Sequence, residues 1–166
     1  SSRAEAYIAA AHTRIMEIEL AAATVGELFD GTRGLLAALR KRRIRTAIIT
    51  RNCLPAVRTV FPDLDRFVDA VISREMTPHV KPHPDHLRTA LSTLAAPPDG
   101  TLMVGDHPLD MQVGCEVGAF TVGVLTGSGS RADLTRAGAR CVLASALDLL
   151  DLLARSGPPW APVSPA

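Results

Sequence analysis

Short apolar segments alternate with helical segments along this chain, and no other feature constrains its fold as strongly. The strand-like segments cover residues 45–50, 67–72, 101–104 and 120–124. Apolar residues at helical spacing lie between and after them, over 54–60, 83–94, 109–117 and 131–137. Such alternation is typical of βαβ units, whose strands are parallel and covered by helices. We therefore predict a three-layer α/β fold with helices on both faces of a parallel sheet, and 141–143 as a candidate edge strand.

The two ends of the chain differ from this alternating core. Residues 4–22 have apolar side chains at helical spacing, and Thr32 is a candidate N-cap for the next helix. A last helix is expected over 144–153, and the Pro-rich segment that follows is expected to be irregular. We divide the chain into an N-terminal helix (1–24), an α/β core (25–155) and an irregular tail (156–166).

Composition excludes several classes of function. The 166 residues have a net charge of +1, which gives no electrostatic basis for binding nucleic acid or an anionic membrane. No apolar run is long enough to span a bilayer. Three widely spaced cysteines in apolar surroundings, Cys53, Cys115 and Cys141, are interpreted as reduced core thiols. We expect a soluble, cytoplasmic protein.

Two carboxylates follow the third strand. Gly105 permits a tight turn after this strand, and Asp106 and Asp110 lie at the start of the next helix. Carboxylates at the carboxyl edge of a parallel sheet suit a hard cation such as Mg2+. The alternative is that the pair only caps the helix and interacts with its dipole.

Two other segments place phosphate-binding side chains at the same predicted edge. Thr50, Arg51 and Asn52 end the first strand, where a hydroxyl and backbone N–H groups can hold a phosphate oxygen. Lys81 precedes Pro82, which disfavours a helical start there and leaves the ammonium free to face an anion. Taken singly, Thr50 is as well explained by a capped turn, and Lys81 by a solvated loop.

The order of these segments resembles the haloacid dehalogenase (HAD) superfamily of phosphatases, in particular its phosphoglycolate-phosphatase-like branch. Thr50 is similar to the motif II hydroxyl, Lys81 to the motif III lysine, and Asp106 with Asp110 to the motif IV metal-site acids. The resemblance implies a Rossmann-like (HAD-like) core. It also implies an Mg2+-dependent phosphatase of small phosphorylated metabolites, in which Thr50 and Lys81 orient the phosphate and Arg51 and Asn52 help to bind the substrate.

One family motif has no counterpart in this sequence. Relatives have a central first strand that ends in Asp-x-Asp-Gly-Thr, whose first aspartate is the nucleophile. The segment Phe29-Asp30-Gly31-Thr32 is superficially similar, but Leu28 stands at the nucleophile position. We therefore expect this chain to be inactive by itself, with a gap in the sheet flanked by two unpaired strand edges.

Three explanations of the missing motif remain open. The chain is a fragment that has lost motif I and most of a small cap domain, with 4–22 as the last cap helix, and we favour this explanation. Alternatively, it is a catalytically dead binding or interaction module, which takes up a strand from another chain. In the third explanation, the apolar segment 18–25 forms a strand that refills the gap.

Three histidines cluster around Lys81 in the sequence: His79, His83 and His86. A zinc site is the functional interpretation of such a cluster. We do not favour it from the sequence, because these residues lack acidic or thiol companions and prolines interrupt them.

Overall fold

The computed structural model describes residues 2–156, with side chains to residue 154. The predicted irregular tail lies almost wholly outside the described residues. The helices are α1 (Ser2–Val25), α2 (Thr32–Lys41), α3 (Leu54–Val60), α4 (Asp85–Leu94), α5 (Pro108–Val117), α6 (Arg131–Arg136) and α7 (Leu149–Ser156). The strands are β1 (Ala47–Ile49), β2 (Ala70–Ile72), β3 (Leu102–Gly105), β4 (Phe120–Val124) and β5 (Cys141–Leu143).

The strands form two parallel sheets, which are called the two ladders below. In the first, β1 pairs with β2, and Ile48 lies opposite Val71. The second has the strand order β3–β4–β5, and Val122 pairs with both Val104 and Cys141. The predicted class, a parallel α/β fold with helices packed on the strands, is confirmed.

A gap between β1 and β3 separates the two ladders. The Thr50 N–H donates to the Ile72 carbonyl, so the backbone groups of Ile49, one residue earlier, face away from β2. The Phe120 N–H donates to the Thr101 carbonyl, so by the same alternation Leu102 and Val104 face away from β4. Among the described residues, these edges of β1 and β3 have no strand partner. Two such edges are what the predicted gap in the sheet requires, and the identity of the strand that would fill it stays a prediction.

Helices α4 and α5 connect the two ladders across this gap. α4 packs on β1 and β2, α5 packs on β3 and β4, and the two helices contact each other. Their shared core consists of apolar side chains against which Ile49 of β1 also packs: Leu87, Leu91, Met103, Val113 and Ala119. Side-chain packing, rather than a continuous ladder, therefore holds the two halves together.

Helix α1 continues to Val25, so the alternative that 18–25 forms a strand is wrong. The helix packs on α3, where Ala23 contacts the buried Cys53 and Ala56. One carboxylate fixes this contact: Glu19 accepts hydrogen bonds from the Cys53 N–H at 2.8 Å and from Arg74 at 2.5 Å.

Several local predictions need correction. Thr32 does not cap α2; it is the first helical residue, because Gly31 adopts a left-handed conformation (φ 80°) and takes the cap position. Cys115 is exposed rather than in the core, whereas Cys53 is buried as expected. α4 begins at Asp85 instead of residue 83, and a 3-10 turn (Ala146–Asp148) replaces the predicted first part of α7. Within residues 2–156, no helix is both long and apolar enough to cross a membrane.

Candidate phosphate and metal site

Thr50 lies directly after β1, at the carboxyl end of the strand. Its hydroxyl oxygen accepts a hydrogen bond from the Asn52 N–H at 3.1 Å, which closes a tight turn. Thr50 thus closes a local turn but does not cap α3, whose N-cap residue is Cys53, and its hydroxyl proton is still able to donate to an anion. The side chains of Arg51 and Asn52 are exposed and make no hydrogen bond or ion pair with the described residues.

Lys81 connects the carboxyl ends of the two ladders. Its ammonium donates to the Asp110 Oδ1 at 2.6 Å and lies 3.4 Å from the Ile49 carbonyl oxygen. Only 15% of the Lys81 side chain and 7% of the Asp110 side chain are exposed to solvent. The lysine is therefore not a solvated loop residue, because it occupies the space between the end of β1 and the start of α5.

Asp110 has two partners that fix its carboxylate. Oδ1 accepts from Lys81, and Oδ2 accepts from the backbone N–H of His107 at 3.2 Å, as part of a capping box at the start of α5. The carboxylate also lies directly against Gly105: a Cβ atom at this glycine would be 2.3 Å from the Asp110 Oδ2. A residue without a side chain is thus required at the end of β3.

Asp106 is held by the loop that follows β4. Its Oδ2 accepts from the Ser128 N–H at 3.3 Å, and its carbonyl oxygen accepts from the Gly129 N–H at 3.0 Å. A Cβ atom at Gly127 would fall 1.7 Å from the same carboxylate oxygen, so this loop also needs glycine. The other carboxylate oxygen of Asp106, Oδ1, has no hydrogen-bond partner among the described residues.

These contacts indicate which residues fit Mg2+. Magnesium takes oxygen ligands and usually binds through one or two carboxylates, with water and substrate oxygens completing its shell. Asp106 fits this chemistry through its free Oδ1 atom. Both oxygens of Asp110 are already used by Lys81 and His107, so a direct role of Asp110 as a second ligand stays a prediction.

His86 positions the Lys81 loop, a role that residue type and spacing did not reveal. Its Nδ1 accepts from the Lys81 N–H at 3.2 Å, and its Nε2 lies 3.0 Å from the Ile72 carbonyl oxygen. The ring is fully buried, and burial is the main reason why the pKa of His86 lies below its ordinary value. A neutral ring, protonated on Nε2, accepts and donates one hydrogen bond each. The sequence does contain one signal for the burial of His86. It lies four residues before Ala90, and this spacing places both residues on the buried face of α4.

The fold belongs to the class of parallel α/β proteins, which bind ligands at the carboxyl ends of their strands. In this chain a hydroxyl, an ammonium and two carboxylates follow the carboxyl ends of strands or lie in the loops beside them. The sequence profile of the haloacid dehalogenase-like hydrolases matches residues 3–124, and the chain belongs to this family.

Individual relatives support this assignment. The chain is 37% identical, over 119 residues, to the pyrophosphatase PpaX of Bacillus mycoides; the match covers 70% of this chain and 55% of that protein. A hydrolase from Pseudomonas syringae has a similar structure (TM-score 0.70, 29% identity), covering 76% of this chain and 60% of the other. So does CbbY from Rhodobacter sphaeroides, solved in complex with phosphate (TM-score 0.73, 26% identity, 86% and 65% covered). The chain spans about half the length of the curated relatives it matches.

Proposed function

We propose that this chain provides the phosphate-binding and Mg2+-binding part of a phosphatase or pyrophosphatase that acts on a small phosphorylated metabolite. One observation carries the proposal: the Lys81 ammonium lies between the Ile49 carbonyl and the Asp110 carboxylate. This contact joins the end of β1, the Lys81 loop and the start of α5, which are the three segments similar to motifs II, III and IV. Two relatives agree with this chemistry, since one is named a pyrophosphatase and another binds phosphate.

Each side chain then has a distinct role. The Thr50 hydroxyl and the Lys81 ammonium donate to phosphoryl oxygens and stabilise the charge that develops on them in the transition state. Asp106 holds Mg2+, which neutralises phosphoryl charge when bound. Asp110 and His86 orient Lys81, and the exposed Arg51 and Asn52 contact the remainder of the substrate.

The proposed reaction needs a carboxylate nucleophile, which we place in the gap between β1 and β3. In the first step, this carboxylate attacks phosphorus, the bond from phosphorus to the leaving oxygen breaks, that oxygen takes a proton from the second aspartate of motif I, and an aspartyl-phosphate forms. In the second step, water attacks phosphorus and returns a proton to that second aspartate, which releases inorganic phosphate and the free nucleophile carboxylate. Motif I of the family ends a strand with such an aspartate, and the unpaired edges of β1 and β3 would pair with that strand. We also propose that α1 is the helix that returns from a cap domain.

The unpaired edges also favour a second candidate function. A strand from another protein would satisfy the same backbone groups without supplying a nucleophile. The chain would then be a binding module that retains the phosphate site of an enzyme family but has no turnover.

Hydrolysis assays distinguish the two functions. The chain, and a form fused at its N-terminus to the motif I segment of a relative, are assayed with Mg2+ on an aryl phosphate and on pyrophosphate. We expect no turnover by the chain and turnover by the fusion. An Asp106→Asn substitution in the fusion should lower the rate by at least about a hundredfold, as expected for loss of a metal ligand.

Two results would contradict the proposal. Turnover by the unfused chain that Asp106→Asn abolishes would mean that a carboxylate of this chain, such as Asp30, is the nucleophile. No turnover by either form would support the binding module instead.

A further inference from the structure

The loop that carries Lys81 has a second cluster of ligating side chains, on its outer surface. His79 Nδ1 lies 3.0 Å from the Asp85 Oδ2, and His83 Nδ1 lies 3.2 Å from the same oxygen. The two imidazole rings are stacked, with centroids 4.4 Å apart and planes tilted by 34°. Ligating atoms of the three residues all lie within 4.8 Å of one another. The sequence-based expectation that these histidines lack an acidic companion is wrong, because Asp85 is that companion.

We propose that His79, His83 and Asp85 bind a transition-metal ion of the Zn2+ class. Around a tetrahedral Zn2+ ion with bonds of about 2.0–2.1 Å, neighbouring ligand atoms are about 3.3 Å apart. The distances from the Asp85 Oδ2 to the His79 Nδ1 and to the His83 Nδ1, 3.0 and 3.2 Å, are already close to this value. A small rotation of the exposed side chains would bring the two histidine nitrogens to the same separation.

The chemistry of the donors favours zinc over magnesium. Two imidazoles and one carboxylate are typical zinc ligands, whereas Mg2+ prefers oxygen atoms alone. The Asp85 N–H donates to the His83 Nδ1 at 3.2 Å, so this nitrogen is an acceptor in the structure and would exchange that hydrogen bond for the bond to the metal. The second carboxylate oxygen of Asp85 faces Arg88 at 3.8 Å, which leaves Oδ2 for the metal. The cluster therefore differs in ligand type from Asp106 at the phosphate site.

Exposure allows a metal to reach the cluster and leaves coordination positions open. The side chains of His79 and His83 are 60% and 46% exposed, and that of Asp85 is 33% exposed. Three protein ligands leave a fourth position for water or an external group. His86, the third histidine of this stretch of sequence, is buried and turned toward Ile72, and does not belong to the site.

The proposed ion would tie together both ends of the turn that contains Lys81. His79 precedes this turn, and His83 and Asp85 follow it. Closing a loop with a metal removes conformational freedom from the segment between the ligands. Bound metal is thus expected to protect the backbone from His79 to Asp85 against proteolysis and hydrogen exchange, whether or not the chain takes part in phosphate chemistry.

Zn2+ titration of the chelator-treated chain tests the proposal, with affinity measured by competition against a chromogenic zinc indicator. We expect one tight site per chain. His79→Ala and His83→Ala should each weaken it by at least about tenfold. Two matched controls should not: His12→Ala removes an exposed histidine on α1, and Asp106→Asn removes the carboxylate proposed for Mg2+.

A second measurement does not depend on the folding of any variant. In the unsubstituted chain, Zn2+ should shift the NMR signals of the His79 and His83 rings and leave those of His12 unchanged. Unchanged affinity in both ligand variants would overturn the proposal, as would zinc-induced shifts at other histidines only. Failure of the unsubstituted chain to compete with the indicator would also overturn it.

Discussion

The buried ion pair between Lys81 and Asp110 gives the strongest test of the structure. Asp110→Asn keeps the shape of the side chain and one carbonyl-type acceptor but removes the negative charge. Lys81 then stays between the ladders without a counter-ion, 3.4 Å from the Ile49 carbonyl oxygen. The experiment asks how much this unpaired charge destabilises the fold.

The expected magnitude follows from burial. Removing one partner of a fully buried pair costs about 3–5 kcal/mol, because the remaining charge stays desolvated. Lys81 is 15% exposed and gains some solvation by a small movement, so we expect Asp110→Asn to lower the free energy of unfolding by about 3 kcal/mol. The double variant Lys81→Met/Asp110→Asn should recover part of this loss, since it no longer contains a buried charge.

A surface ion pair of the same length serves as the control. Arg58 and Asp65 are 2.7 Å apart, against 2.6 Å for the buried pair, but their side chains are 44% and 67% exposed. Asp65→Asn should therefore change stability far less than Asp110→Asn does, because solvent screens an exposed pair. Urea unfolding is followed by circular dichroism at helical wavelengths, because the single tryptophan, Trp160, lies outside the described residues.

Equal effects of Asp110→Asn and Asp65→Asn would refute the reasoning. They would mean that Lys81 and Asp110 are both hydrated in solution, and hence that the lysine does not occupy the space between the ladders. A double variant no more stable than Asp110→Asn would refute it in another way, by showing that the lost acceptor, rather than the unpaired charge, causes the effect.

Two further predictions concern residues that hold this pair. The lowered pKa of His86 means that the unfolded chain binds a proton more readily than the folded one. Stability should therefore fall as the pH drops below about 6.5, and His86→Gln should show a smaller drop in melting temperature between about pH 7 and pH 5. Gly105→Ala should destabilise by about 1–3 kcal/mol in urea unfolding, because its Cβ would displace the Asp110 carboxylate. Gly34→Ala, on a helical face with nothing within 4 Å, should instead stabilise by about 0.5–1 kcal/mol; the same sign for both glycines would contradict the packing.

The sequence predicted the fold class well because the relevant signals are local. Strands β4 and β5 and helix α3 lie where apolar periodicity places them, and the family resemblance is confirmed. Ends of elements were less predictable. β2 is only three residues long, because residues 67–69, which the sequence assigns to it, form an irregular connection after a 3-10 turn at Leu64–Arg66.

The contacts within the site depend on tertiary structure, and the sequence did not reveal them. Lys81 and Asp110 are 29 residues apart, and nothing local indicates that they pair. The roles of neighbouring histidines in one short loop likewise diverge: His86 is buried by helix packing, whereas His79 and His83 face solvent beside Asp85. Residue type and spacing suggested which side chains matter, but burial decided which of them act together.

The contact between Lys81 and the Ile49 carbonyl also means that the lysine ammonium and an incoming strand would compete for the same carbonyl oxygen. This carbonyl faces the gap, where a neighbouring strand would donate a backbone N–H to it, and the lysine ammonium now takes that place. A strand that enters beside β1 would therefore compete with the ammonium for this side of the carbonyl oxygen, and an anion that draws the ammonium away would leave the carbonyl open to a strand. Strand entry and phosphate binding are thus thermodynamically linked, so each should strengthen the other by the same factor.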